Sequence, residues 1–260
     1  MSQPTTRDFE HSVELDATPE EVFRAVTDGT EIAKWLAPEA RSTPPQGGAK
    51  GRIWISWGEG MSAEKEIDIY DSPKHVRHPA GENGETNAPL YADWHIEATA
   101  GGRTILRLVH SGFSTKADWD DEFDSHGRGW RLMLANLRHY YARHKGEATK
   151  HVAFMTSIEQ PRPALWQKLL GQLGLRATPK VGEAFRLTTP KGETLSGTVD
   201  YVNDGLDLGL VVRERDDALL RFNFMGKPDA ASTFVYGYSI AYGEGRDACV
   251  AELNESVPLS

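Results

Sequence analysis

The sequence predicts an α+β protein in two parts: an antiparallel sheet closed by a long C-terminal helix, then a second, worn version of the same order. Three observations carry this expectation. Leu106 to Tyr141 reads as a strand, a turn, an acidic connector and a long amphipathic helix. The chain before it alternates apolar and polar residues in short runs separated by Gly, Pro and polar stretches, as half-buried antiparallel strands do. After Lys145-Gly146-Glu147 the same order of elements begins again with almost no residue identity, and such a repeat decides the architecture.

Each element of the first part has a local reason. His11 to Leu15 is a short strand. Thr18-Pro19-Glu20-Glu21 is a helix start, with Thr18 as cap, Pro19 in the first turn and Glu21 placed for a capping box. Val22, Phe23 and Val26 give that helix its buried side. Gly29 ends it, and Thr30 caps a second short helix carrying Ile32, Trp35 and Leu36, which Pro38 stops. Pro44 to Lys50 is a loop. Arg52 to Trp57 is a strand with Ile53, Ile55 and Trp57 facing inward, and the outward Trp54 calls for a partner. Glu66 to Tyr70 alternates again, and Pro79 to Asn87 reads as a polar loop. Ala92, Trp94, Ile96 and Ala98 form one strand face, and Gly101-Gly102 a tight hairpin turn. Leu106, Leu108 and His110 share a face of the next strand, with a turn at Ser111-Gly112-Phe113. A helix begins near His126, and Trp130, Leu134, Leu137 and Tyr141 form its apolar stripe.

In the second part, His151 to Ile158, Phe185 to Thr189, Glu193 to Tyr201, Leu206 to Val212, Leu219 to Met225 and Thr233 to Tyr242 read as strands. Pro161 to Leu173 reads as a helix, and Asp247 to Val257 is what remains for a closing helix.

His110-Ser111-Gly112-Phe113, followed by Gly129-Trp130 in the last helix, resembles the START-like (SRPBCC) domains of the type named for the activator of Hsp90 ATPase. The resemblance covers about residues 8 to 146. It implies a helix-grip fold, a curved antiparallel sheet around a long C-terminal helix, followed by a degenerate second START-like α+β domain. The expected domains are 1–147 and 148–260, the second lacking a full C-terminal helix.

The formal net charge of −9 argues against nucleic acid or an anionic membrane as main partner, since both call for a basic surface. Cys249 is the single cysteine, so no intramolecular disulfide forms, which fits a reducing cytosol. The opening MSQPTTRDFEH has no apolar run and is not a signal peptide, and no stretch is long and apolar enough to span a bilayer. The expected location is the cytoplasm.

A pocket between sheet and long helix is expected, lined by Trp35, Ile53, Ile55, Trp57, Trp94, Ile96, Leu106, Leu108, His110, Phe113, Trp130 and Leu134. Small-molecule sites are mostly apolar with a few placed polar groups, although large aromatics also simply fill cores. His110 is the single weak candidate for catalysis. It reads better as a structural histidine, because a catalytic one needs an orienting partner and none stands nearby in sequence. The acidic run Asp118 to Asp124 suits a helix N-terminus and lacks the pattern of a Ca²⁺ loop. No cofactor and no metal site are expected. The leading reading is a non-enzymatic binder of a small hydrophobic molecule. The resemblance implies two alternatives: a partner of an Hsp90-type chaperone, or a cyclase- or hydrolase-like enzyme using His110. The shortened second domain points to a structural or dimerising role, as in a homodimer.

Overall fold

The computed structural model describes residues 6–257; the part of the N-terminal reading that falls on residues 1–5 lies outside them. The chain forms two compact units, one through Lys145 and one from Gly146 on. Among the described residues no helix is long and apolar enough to cross a membrane.

The first unit runs β1 (Thr6–Leu15), α1 (Pro19–Thr27), α2 (Gly29–Ile32), β2 (Glu39–Thr43), β3 (Arg52–Ser56), β4 (Ser62–Glu66), β5 (Ile69–Asp71), β6 (His75–Glu82), β7 (Pro89–Ala98), β8 (Thr104–Ser114) and α3 (Asp120–Arg143). The strands pair antiparallel in the orders β1-β8-β7-β6-β5 and β2-β3-β4. The first strand therefore lies beside the last, and the others meander back from it. The capping box forms as the sequence predicts: Thr18 Oγ1 accepts from the Glu21 N–H, and Glu21 Oε2 accepts from the Thr18 N–H at 2.8 Å. Leu106 and Leu108 are fully buried on the inner face of β8. The far end of α3 is tied to α1, because the Tyr141 hydroxyl donates to the Glu21 carbonyl at 3.1 Å.

Several expectations are corrected. The turn expected at Ser111 to Phe113 is strand: β8 runs on to Ser114, and the register slips between Arg7 and Phe9 of β1. Gly112 absorbs that bulge at φ +98, where a Cβ would press on the Pro89 carbonyl oxygen at 3.2 Å. The long helix begins at Asp120, not near His126, because Asp120, Asp121 and Glu122 form its first turn and their charge suits the helix dipole. Asp28, not Thr30, caps α2, its carboxylate accepting from the N–H groups of Thr30 and Glu31. Glu66 to Tyr70 is not one strand, since β4 ends at Glu66 and β5 starts at Ile69. β2 carries no apolar alternation and escaped the sequence reading. The first four residues of the expected loop from Pro79 are the end of β6. Trp54 finds its partner in the same unit, with the Arg41 guanidinium 4.7 Å above its ring.

The second unit runs β9 (Thr149–Ile158), α4 (Arg162–Gln172), β10 (Ala184–Thr188), β11 (Thr194–Asn203), β12 (Asp207–Val212), β13 (Ala218–Met225), β14 (Thr233–Tyr242) and α5 (Arg246–Ser256). Its sheet has the order β10-β11-β12-β13-β14-β9. The first strand again pairs with the last, as in the first unit, but here all six strands form one sheet. Where α3 has 24 residues, α5 has 11. Leu165, Trp166, Leu169 and Leu170 of α4 join Val250 and Leu253 of α5 in one apolar core, so two short helices do the work of one long one. On the opposite face, a bulge between Val199 and Tyr201 re-aims Asp200. Its carboxylate takes the fully buried Arg221 in two contacts, at 2.6 and 2.7 Å. Gly209 lies between them, where a Cβ would stand 2.5 Å from the guanidinium.

Candidate functional site

The inner faces of the first unit's two sheets line a partly open cavity of about 260 Å³. Its walls come from α1, α2 and the turn after them (Val26, Ile32, Trp35, Leu36) and from β3 and the residue after it (Ile53, Ile55, Trp57). β4 adds Lys65, β6 adds His78 and Ala80, and β7 adds Trp94. α3 closes it with Ser125, His126, Gly129, Trp130 and Met133.

Three of the tryptophans have their polar handle fixed away from their carbon faces. Trp35 Nε1–H donates to the Ala25 carbonyl at 2.9 Å, Trp94 Nε1–H to His78 Nε2 at 3.3 Å, and Trp130 Nε1–H to His110 Nδ1 at 2.8 Å. Trp35 and Trp130 each meet Trp94 edge to face, with centroids 6.2 and 5.2 Å apart. A buried indole needs a partner for its N–H. Trp35 and Trp130 meet that need outside the cavity and Trp94 meets it at His78 in the wall, which leaves their carbon faces as a pre-oriented surface.

The two histidines are acceptors here, which fixes their tautomers. His78 accepts through Nε2 and donates Nδ1–H to the Pro79 carbonyl at 2.8 Å. His110 accepts through Nδ1 and carries its proton on Nε2, a buried atom with no hydrogen-bond partner. Burial lowers His78 from 6.5 to about 4 and His110 to about 2, with the positive charge of Lys65 adding to both. Burial also lowers His126. Neutral imidazoles of this kind hold indoles in place and do not carry protons near neutrality.

Of the residues expected from sequence, Trp35, Ile53, Ile55, Trp57, Trp94 and Trp130 stand in the cavity wall. Ile96, Leu106, Leu108, His110, Phe113 and Leu134 do not. The long helix packs over β1, and Leu106, Leu108 and Leu134 are buried away from the cavity. His110 and Phe113 join Phe9, Phe123 and His126 in a ring cluster with centroids about 5 Å apart. Lys65 and His78 went unrecognised, for different reasons. Pro79 interrupts the alternation Val76-His78-Ala80, and a lysine gives no apolar signal at all. On the helix, the expected stripe of Trp130, Leu134, Leu137 and Tyr141 reaches the wall through Trp130, and His126 and Met133 join it from the same face.

Among the described residues, Lys65 is the one Lys, Arg, Asp or Glu side chain in the wall. It pairs in register with Ile53, so it lies on the inner, apolar face of the sheet. Burial lowers its ammonium from 10.5 to about 8. Elsewhere, His75, Asp93 and His95 bring three donor atoms within 4.8 Å on the outer face, at a spacing that suits a metal. Asp93 already receives His75 at 2.9 Å and Arg77 at 3.6 Å, and Arg107 stands opposite His95. These two guanidiniums oppose a further cation. In the second unit, burial pushes the Cys249 thiol up to about 11, which makes it inert at neutral pH.

Residues 16–142 match the family model described as "Activator of Hsp90 ATPase homolog 1-like protein". No curated protein matches the chain. Among solved structures the chain is similar to the di-domain ARO/CYC BexL from the BE-7585A biosynthetic pathway, at 15% identity and a TM-score of 0.45, covering 96% of this chain and 91% of that one. It is also similar to PFC0360w, an HSP90 activator from Plasmodium falciparum, at 16% identity and a TM-score of 0.43, over 52% of this chain and 96% of that one. A third likeness is to the Aha1 dimer from Colwellia psychrerythraea, at 19% identity and a TM-score of 0.40, over 52% and 96%.

Proposed function

We propose, from the premise that residues 16–142 form a START-like domain of the activator of Hsp90 ATPase homolog 1-like family, that the first unit is a binding module for a small apolar molecule. The observation that supports this is a cavity of about 260 Å³ with four tryptophans in its wall and no carboxylate. Its volume equals the share of roughly nine liquid waters, enough for a molecule of one or two rings. His110 is held neutral and stands outside the wall, which leaves an acid–base role for it without support. The domains proposed are 1–147 and 148–260, with ligand binding assigned to the first; the compact units meeting at Lys145 and Gly146 support that division.

Mass spectrometry of the purified protein tests the reading. A small adduct present under native conditions and lost on denaturation is the expected result, and Trp130→Ala should weaken its retention at least tenfold, because an aromatic wall carries much of the affinity in such sites. Equal retention by Trp130→Ala and Trp57→Ala would sink the assignment of this cavity.

A second reading, action on an Hsp90-type chaperone, is supported by the description of the family model. It predicts faster ATP turnover by such a chaperone when the protein is in molar excess, and an unchanged rate would remove it.

A further inference from the structure

Lys65 stands in the cavity wall without a counter-charge. The register of β3 and β4 places Lys65 opposite Ile53 and Ala63 opposite Ile55, so β4 shows an apolar residue and then a lysine to the interior. Its outward neighbours Glu64 and Glu66 answer Arg52, at 3.8 and 3.3 Å, and leave Lys65 alone. No carboxylate stands in the wall. The titratable groups that share its surroundings are the three histidines His78, His110 and His126, each pushed toward its neutral form in part by this same ammonium. An ammonium in an apolar cavity costs free energy unless it is paired. Lys65 is partly exposed, so water can serve it in the free protein, but a ligand that fills the cavity displaces that water and, among the described residues, no carboxylate in the wall replaces it.

We infer that Lys65 recognises an acidic group on the ligand, which makes that ligand an apolar monocarboxylic acid: one or two rings against the tryptophans, with its carboxylate at the strand β4 side of the cavity. The inference rests on the binding reading above and deepens it. A neutral ligand of the same shape would leave the ammonium desolvated and unpaired. A dianion would bring a second negative charge that no group in the wall answers. The competing account is that an inward-pointing charge blunts the edge strand β4 against pairing with another chain. That account gives Lys65 no preference among ligands, and this separates the two.

The experiment uses the full chain and a matched pair of probes, 2-naphthoic acid and 2-naphthalenemethanol, followed by tryptophan fluorescence and calorimetry. The two share a ring system and differ in charge. The wild-type protein should bind the acid more tightly by at least roughly tenfold, the usual yield of a hydrogen bond to a charged group. In Lys65→Met, which keeps the length of the stem, the preference should collapse to within about twofold while the alcohol binds as before or better. Equal affinity of the wild type for both probes, or a preference that survives in Lys65→Met, would overturn the role of Lys65 and leave the cavity reading intact. Failure of both probes to bind at millimolar concentration would overturn the cavity reading and this inference with it. Dimerisation or aggregation of Lys65→Met with unchanged probe preference would instead establish edge protection as its role.

Discussion

Asp200→Ala should destabilise the second unit by about 3–5 kcal/mol, the usual result of removing one partner from a buried ion pair. Arg221 is fully buried, and Asp200 meets it at 2.6 and 2.7 Å, so the truncation removes the anion that answers a guanidinium inside the sheet. The geometry that allows the pair is built from three strands: a bulge that turns Asp200, a glycine at 209 that makes room, and the register that sets Gly209 opposite Arg221. Urea unfolding followed by a probe in this unit is the measurement. The double change Asp200→Leu with Arg221→Met should recover most of the loss, because an apolar replacement of both partners removes the desolvation cost as well. A single-mutant loss under about 1 kcal/mol would mean that Arg221 is adequately satisfied without the carboxylate.

The first unit should lose stability on mild acidification, in a window set by its histidines. His78 and His110 titrate near 6.5 when unfolded, and at about 4 and about 2 when folded. Their folded values are depressed, so the stability they contribute is complete above about pH 6.5 and is lost as pH falls toward the folded values. Each unit below 6.5 removes on the order of 1.4 kcal/mol per histidine, or roughly 2 kcal/mol each between pH 7 and pH 5. The carboxylates with lowered values, such as Glu21 and Glu252, act below about 4.5 and stay silent in that interval. Unfolding free energies at pH 7, 6 and 5 separate the two sources. A flat profile down to pH 5 would show that both imidazoles are solvated more than their burial implies. Protonation also removes the acceptors of the Trp94 and Trp130 indoles, so tryptophan emission should shift in the same window.

Much of this architecture was legible because its signals are local. Thr18, Pro19 and Glu21 announce a helix start by chemistry alone, and Ile53, Ile55, Trp94 and Ile96 fall on inward faces because strand alternation leaves no other choice. The repeat was readable from element order, which outlasts residue identity. What escaped reading depended on partners distant in sequence. Gly112 looks like a turn until β1 is laid beside it, and Pro79 hides a strand whose wall residue is His78. Half of the expected wall sits elsewhere, since periodicity tells which face is buried but not whether a helix or a void covers it. Leu106 and Leu108 point inward as expected and are fully buried, yet they stand outside the cavity wall.

The pairing of first strand with last has a consequence for synthesis. Thr6 bonds opposite Ser114, and Thr149 opposite Tyr242, so β1 must wait for a strand made roughly a hundred residues later, about 5–20 s at ribosomal speed. During that interval β1 is an open edge with no mate, and non-local closure of this kind is slow. Each unit therefore zips up last at its own beginning. The chain closes one sheet fully before the first strand of the next has found its place.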